Sequence, residues 1–215
     1  MAEQKPVTVL ALAFDKLEIL DLFGPLELFS LVPGCSIKLV SIDGKPIRTK
    51  AAIETVVDYS FDNAPTNPDI FLVPGGLGTR TIVHESVYTD FIKRIGDGAG
   101  VVLSVCTGAA LLAQAGLLDG RRATTNKRSF AFPMKFGKDI DWVYRARWVE
   151  DGKFVTSSGV SAGIDAAAQV IEKVWGPEIA RQSVNAAEYD WHTDSNWDIF
   201  GQHYQDPTVP VASDN

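Results

Sequence analysis

The chain has 215 residues, 46% of them hydrophobic and 22% charged, with a formal net charge of -7. That length holds one α/β or all-β domain with a large core, and the acidic balance argues against non-specific binding to nucleic acid or an anionic membrane. Two cysteines are too few for a disulfide scaffold, the histidines His84, His192 and His203 lack metal-like spacing, and no apolar run reaches the roughly 18 residues of a membrane helix.

Val7 to Phe14 is apolar and β-prone, the pattern of a buried parallel strand. The surrounding MAEQKPVTVLALAF lacks a basic region followed by a small-residue cleavage site, so it reads as a strand and not as a signal peptide. A reducing, cytoplasmic setting is expected. DKLEILDLFGPLELFSLVPG follows, with helical spacing of Leu22, Leu26, Leu28 and Phe29 and with Pro25 placed in a first turn. Asp21 falls at the start of that helix. It reads either as an N-cap or as a carboxyl partly buried beside Leu22 and Phe23.

Ser36 to Ile42 is a second strand, and Pro46 to Tyr59 a hairpin or short excursion. Asp69 to Val73 is a third buried strand, ending in Pro74-Gly75-Gly76-Leu77-Gly78. Ser86 to Ile95 reads as a helix closed by Gly96-Asp97-Gly98. Val101 to Val105 is a strand, and Thr107 to Ala115 a helix stopped by Gly116. Arg122 to Thr125 is a short strand. Asp141 to Glu150 and Lys153 to Ser157 flank Asp151-Gly152 as a hairpin with a type I′ signal. Ile164 to Trp175 and Glu178 to Tyr189 are helices. One domain is expected over 1–204, with a flexible tail over 205–215.

Strands alternating with helices predict an α/β fold, a mostly parallel sheet covered by helices on both faces. In such sheets the site lies at the carboxyl ends of the strands, which selects the turn after Phe14, the Pro74–Gly78 loop and Cys106. Cys106 occupies a sharp strand-to-helix turn in Ser104-Val105-Cys106-Thr107-Gly108-Ala109-Ala110, followed by small residues. There the helix N-terminus is expected to favour the thiolate and lower the thiol below its free value of about 8.5. Cys35, in VPGCSIKL, reads as an inert core thiol. Gly75, Gly76 and Thr107 are expected to supply backbone N–H groups to an anion-stabilising pocket.

SVCTGAALLAQAGLLDGRRATT, LDLFGPLELF and FLVPGGLGT together resemble the ThiJ/PfpI superfamily, over about residues 7 to 190. That resemblance implies a flavodoxin-like, class I glutamine-amidotransferase-like sandwich with a nucleophile elbow. The Cys-Thr-Gly form of the elbow, with Asp21 in LDLFGP, is most similar to isonitrile hydratases. It is also similar to the amidotransferase-like domains of some transcription regulators, which carry a DNA-binding extension that is not expected here.

The resemblance implies a lyase without cofactor or metal. Cys106 is the nucleophile and Asp21 the general acid and base, acting on a small molecule in a homodimer with no nucleic-acid or membrane partner. Thr107 follows the nucleophile where peptidase-like members carry a histidine. Thr124-Thr125-Asn126 departs from relatives that carry a histidine at the last position, and Asn126 touches the expected pocket lining. The SAGID stretch, Ser161 to Asp165, reads as a helix start with a structural role. The aromatic segment Tyr189 to His192 and Trp197 to Phe200 is read as a pocket cover, a partner contact or a core edge. Three alternatives remain open: a cysteine-based redox sensor, a glyoxalase- or deglycase-like activity, which Asn126 disfavours, and ligand binding by a protein that has lost catalysis.

Overall fold

The computed structural model describes residues 6–208. The first half contains β1 (Val7–Leu12), α1 (Ile19–Ser30), β2 (Cys35–Ser41), β3 (Ile47–Arg48), β4 (Glu54–Thr55), β5 (Tyr59–Ser60), β6 (Ile70–Val73), α2 (Thr79–Ile82) and α3 (Ser86–Gly98). The second half contains β7 (Val101–Val105), α4 (Gly108–Gln114), β8 (Arg122–Ala123), β9 (Asp141–Trp142), β10 (Trp148–Asp151), β11 (Phe154–Ser157), α5 (Ala162–Trp175) and α6 (Pro177–Ala186).

Seven strands form one sheet in the order β10-β11-β7-β6-β1-β2-β5, every pairing parallel except β10 with β11. The apolar runs of β6 and β7 are buried throughout, as strands covered on both faces must be. Helices α1, α5 and α6 pack together on one face, and α2, α3 and α4 on the other. This is the α/β sandwich expected from the alternation of elements. The chain leaves β1 toward β2 and returns to the other side of β1 at β6. That reversal opens a crevice at the carboxyl ends of β1 and β6, the place where such sheets bind ligands.

Four local expectations change. Pro25 lies inside α1 rather than in its first turn, and its ring removes the bond that would run back to the Asp21 carbonyl. Gly96-Asp97-Gly98 forms the last turn of α3 instead of closing it, and the stop comes where Ala99 becomes extended. The arm read as Asp141 to Glu150 is broken. Asp141 and Trp142 pair with β8, and the chain between them and β10 is claimed by the C-terminal segment, through Asp198 N–H to Arg145 O (2.8 Å) and Arg147 N–H to Ser195 O (2.7 Å). The β10–β11 turn has Gly152 and Lys153 at its centre with positive φ only at Gly152, the type II′ pattern and not I′.

Just ahead of the expected tail, the Tyr204 carbonyl accepts from the Tyr144 hydroxyl at 2.7 Å, while residues 209–215 of that tail lie outside the described residues. Among the described residues no helix is long and apolar enough to cross a membrane.

Candidate active site

Three segments converge at the crevice: the start of α1, the loop after β6 and the junction of β7 with α4. Cys106 sits at that junction with φ +56, in the left-handed region that a residue with a side chain seldom adopts and that a tight strand-to-helix turn imposes here. Three bonds fix its backbone. Its N–H donates to Ser158 O (3.1 Å), and its carbonyl accepts from the Thr125 hydroxyl (2.7 Å) and the Ala109 N–H (3.4 Å).

Asp21 is the third residue of α1 and makes no capping bond, so the N-cap reading does not apply. Its side chain is fully buried. Oδ2 accepts the Gly75 N–H at 3.0 Å, while Oδ1 is buried without an ordinary hydrogen-bond partner. The carboxyl faces the Cys106 thiol, and the two groups couple electrostatically. Burial raises the Asp21 pKa to about 7, against the Gly75 bond, which lowers it.

The thiol departs from expectation. Cys106 is only 7% exposed, and burial together with the facing Asp21 charge pushes its pKa well above the ordinary thiol value. The N–H groups of Thr107 and Val160 bond the sulfur and favour the thiolate, but they are outweighed. Removal from water dominates the helix-terminus effect that a reading of the sequence emphasises. The resting site therefore contains a neutral thiol beside a carboxyl poised near neutrality.

The expected anion pocket is also rearranged. The Gly75 N–H is committed to Asp21 and the Gly76 N–H to Thr107 Oγ1 (3.0 Å). Thr79 donates to Thr107 Oγ1 at 3.1 Å, so the Thr107 side chain ties the β6 loop to the elbow. Gly75 is needed here for space: a Cβ would come 2.6 Å from Thr107 N and 2.8 Å from Asp21 Oδ2. Of the three expected N–H donors, Thr107 alone points at the sulfur, and Val160 supplies the second.

Val160 was not legible as a site residue. It carries φ +47, a strained conformation for a β-branched side chain, and nothing in its local sequence signals this. It borders a cavity of about 240 Å³ together with Asn126, Ser158, Ser161, Phe200 and Tyr204. Phe200, from the aromatic C-terminal segment, thus lines the cavity, whereas Trp197 is exposed. Asn126 stands against Gly159, and its Oδ1 is buried without a partner. Asp165 of the SAGID stretch is structural: it holds Arg147 (2.6 Å), the Tyr189 hydroxyl (2.9 Å) and the His192 N–H (3.0 Å).

His84 packs edge-on against Phe136 and His203 lies beside Phe200. Among the described residues no imidazole is hydrogen-bonded to Cys106 or Asp21. The arrangement can pass one proton between sulfur and carboxyl, and it holds two backbone donors on the sulfur.

Comparison with known proteins gives a consistent result. The profile of the DJ-1/PfpI family matches residues 7–173. The chain is 32% identical over 178 residues to the isonitrile hydratase of Pseudomonas putida, spanning 83% of this chain and 76% of that one. It is 30% identical over 146 residues to the HTH-type transcriptional regulator CdhR of Pseudomonas aeruginosa, spanning 67% of this chain but only 42% of the regulator. A ThiJ/PfpI family protein from Pseudomonas syringae superimposes with a TM-score of 0.78 at 26% identity, covering 88% of this chain and 77% of that one.

Proposed function

The chain belongs to the DJ-1/PfpI family, and from that membership and the Cys106–Asp21 pair we propose that it is a cysteine-dependent isonitrile hydratase. The reaction converts an isonitrile and water to an N-substituted formamide, with no cofactor. One observation carries the reading: a buried carboxyl with its pKa raised to about 7, facing the nucleophilic sulfur with no imidazole bonded to either group among the described residues.

The pair suits the proton inventory of this reaction. Asp21, as carboxylate, takes the thiol proton while the sulfur bonds to the terminal isonitrile carbon. It then delivers that proton to the same carbon, giving a thioimidate, R–N=CH–S–Cys106. Asp21, again a carboxylate, takes a proton from water as the water oxygen bonds to the thioimidate carbon, and passes it to the nitrogen. The C–S bond then breaks, the hydroxyl proton returns through Asp21 to the sulfur, and R–NH–CHO leaves. A carboxyl near neutrality serves both as acceptor and as donor, which one at the ordinary value does poorly. The Thr107 and Val160 N–H groups steady negative charge on the sulfur as it leaves.

The thiol argues against a redox sensor, because peroxide attacks exposed, low-pKa thiolates and burial works against both conditions. Turnover of para-nitrophenyl isonitrile by wild type and C106A tests the proposal. We expect formamide from the wild type alone, and turnover by C106A at the wild-type rate would overturn the proposal.

A further inference from the structure

A second, larger cavity of about 790 Å³ opens beside the first, and Lys127, Arg128 and Tyr204 wall both. Its rim is cationic in a chain of net charge -7: Arg80, Arg128 and Lys135 are all exposed and border it. Among the described residues none of these three has a salt-bridge partner. Lys127 differs, since it is buried and bonded to the Ala146 carbonyl (2.7 Å) and paired with Asp198 (3.6 Å). Asp206, the acid on the cleft wall, already accepts from the Thr208 N–H (2.9 Å) and hydroxyl.

Arg80 is held in position. Its guanidinium lies 3.6 Å over the centroid of the Phe132 ring, which orients the planar fork and leaves its N–H edges for a ligand. Arg80 directly follows Thr79, whose hydroxyl bonds the hydroxyl of Thr107, the residue after Cys106. The neighbouring cavity is lined by Val160 and by Ser158, whose carbonyl accepts the Cys106 N–H at 3.1 Å. A volume of this size accommodates the body of a small molecule.

We propose that the cleft walled by Arg80, Arg128 and Lys135 binds the anionic group of the substrate, so that the isonitrile taken by this enzyme carries a carboxylate or a phosphate. The substrate's anion pairs with the Arg80 fork, and its reactive end extends past Val160 to Cys106. The identity of the reactive end rests on the isonitrile reading above, whereas the anion preference of the cleft does not.

Two independent arms test this. Isothermal titration with benzoate, the neutral isostere benzamide and inorganic phosphate reads the cleft without chemistry. Benzoate is expected to bind roughly tenfold tighter than benzamide, as charge-assisted pairing implies. The R80Q/R128Q/K135Q variant, altered only at exposed positions, is expected to lose that preference. Phosphate binding more tightly than benzoate assigns the group to phosphate, and weaker binding assigns it to carboxylate.

The second arm compares kcat/KM for para-isocyanobenzoate and its methyl ester, with the acid favoured by the wild type only. Equal binding of benzoate and benzamide, no binding of either anion, or a preference that survives the triple variant would overturn the anionic cleft. If that occurs while both isonitriles are hydrated equally, the isonitrile reading stands alone. Benzoate selectivity lost in the variant, with neither isonitrile turned over, leaves the cleft standing and removes the isonitrile reading.

Discussion

Asp21→Asn isolates the protonation chemistry of the site from its shape. The amide is isosteric, and its oxygen can still accept the Gly75 N–H. What is lost is a buried charge. The interval between the ordinary carboxyl value of 3.8 and about 7 corresponds to about 4 kcal/mol. The sign follows from the raised folded value: the stabilising contribution is fully present below pH 3.8 and is lost as pH rises through about 7. Wild type is therefore penalised at pH 8, and D21N is expected to be more stable there by roughly 2 to 4 kcal/mol, with the gain vanishing toward pH 4. The thiol responds as well, because the Asp21 charge raises it. Removing that charge is therefore expected to lower the thiol pKa. Activity falls at the same time by about 10² to 10⁴, the usual worth of a general acid–base group. The wild-type acid limb of kcat/KM, set near pH 7 by the need for a carboxylate, disappears with it. Urea unfolding at pH 5 and pH 8, thiolate ultraviolet absorbance against pH, and isonitrile turnover read the three effects. A D21N protein less stable than wild type at pH 8, with an unmoved thiol, would refute the reasoning.

Three further substitutions probe the frame. Gly75→Ala forces a methyl against Thr107 N and Asp21 Oδ2, so we expect a loss of about 1 to 3 kcal/mol and at least tenfold lower turnover, checked by denaturant midpoint and kinetics. Val160→Gly relieves the left-handed strain while keeping the N–H on the sulfur, and is expected to stabilise by about 1 kcal/mol in urea unfolding with turnover retained. Lys127→Met leaves Asp198 buried beside fewer cations, which should cost about 3 to 5 kcal/mol; hydrogen exchange should show residues 195–204 opening first.

The sheet was legible because its strands are short apolar runs set between helical patterns, and β7 and α4 appear close to where the small residues around Cys106 place them. Asp21 was legible only as a carboxyl near a helix start. Whether it caps that helix or faces sulfur depends on Gly75, 54 positions away, and no local pattern encodes that contact. The thiol's direction was misjudged for the same reason. A helix terminus can be read from neighbouring residues, but burial is set by the whole fold, and at Cys106 burial is the larger influence. Pro25 and Gly96 show the limit of breaker rules, since packing of α1 and α3 carries both helices through them.

What holds the two strained residues against each other was equally hidden. Cys106 and Val160 both have left-handed backbones, and Ser158 links the first of them to the core: its carbonyl accepts the Cys106 N–H and its hydroxyl donates to Asp198. Asp198 faces Lys127 and Arg147, and Arg147 is clamped to Asp165 in α5 by bonds from Nε and Nη2. Strained conformations of this kind persist only where surrounding structure over-determines them. A buried ion network a few residues behind the cysteine meets that condition. The residues that present the sulfur and those that stabilise the domain are therefore one connected set, and loosening Asp198 should let Cys106 and Val160 relax apart before the sheet itself gives way.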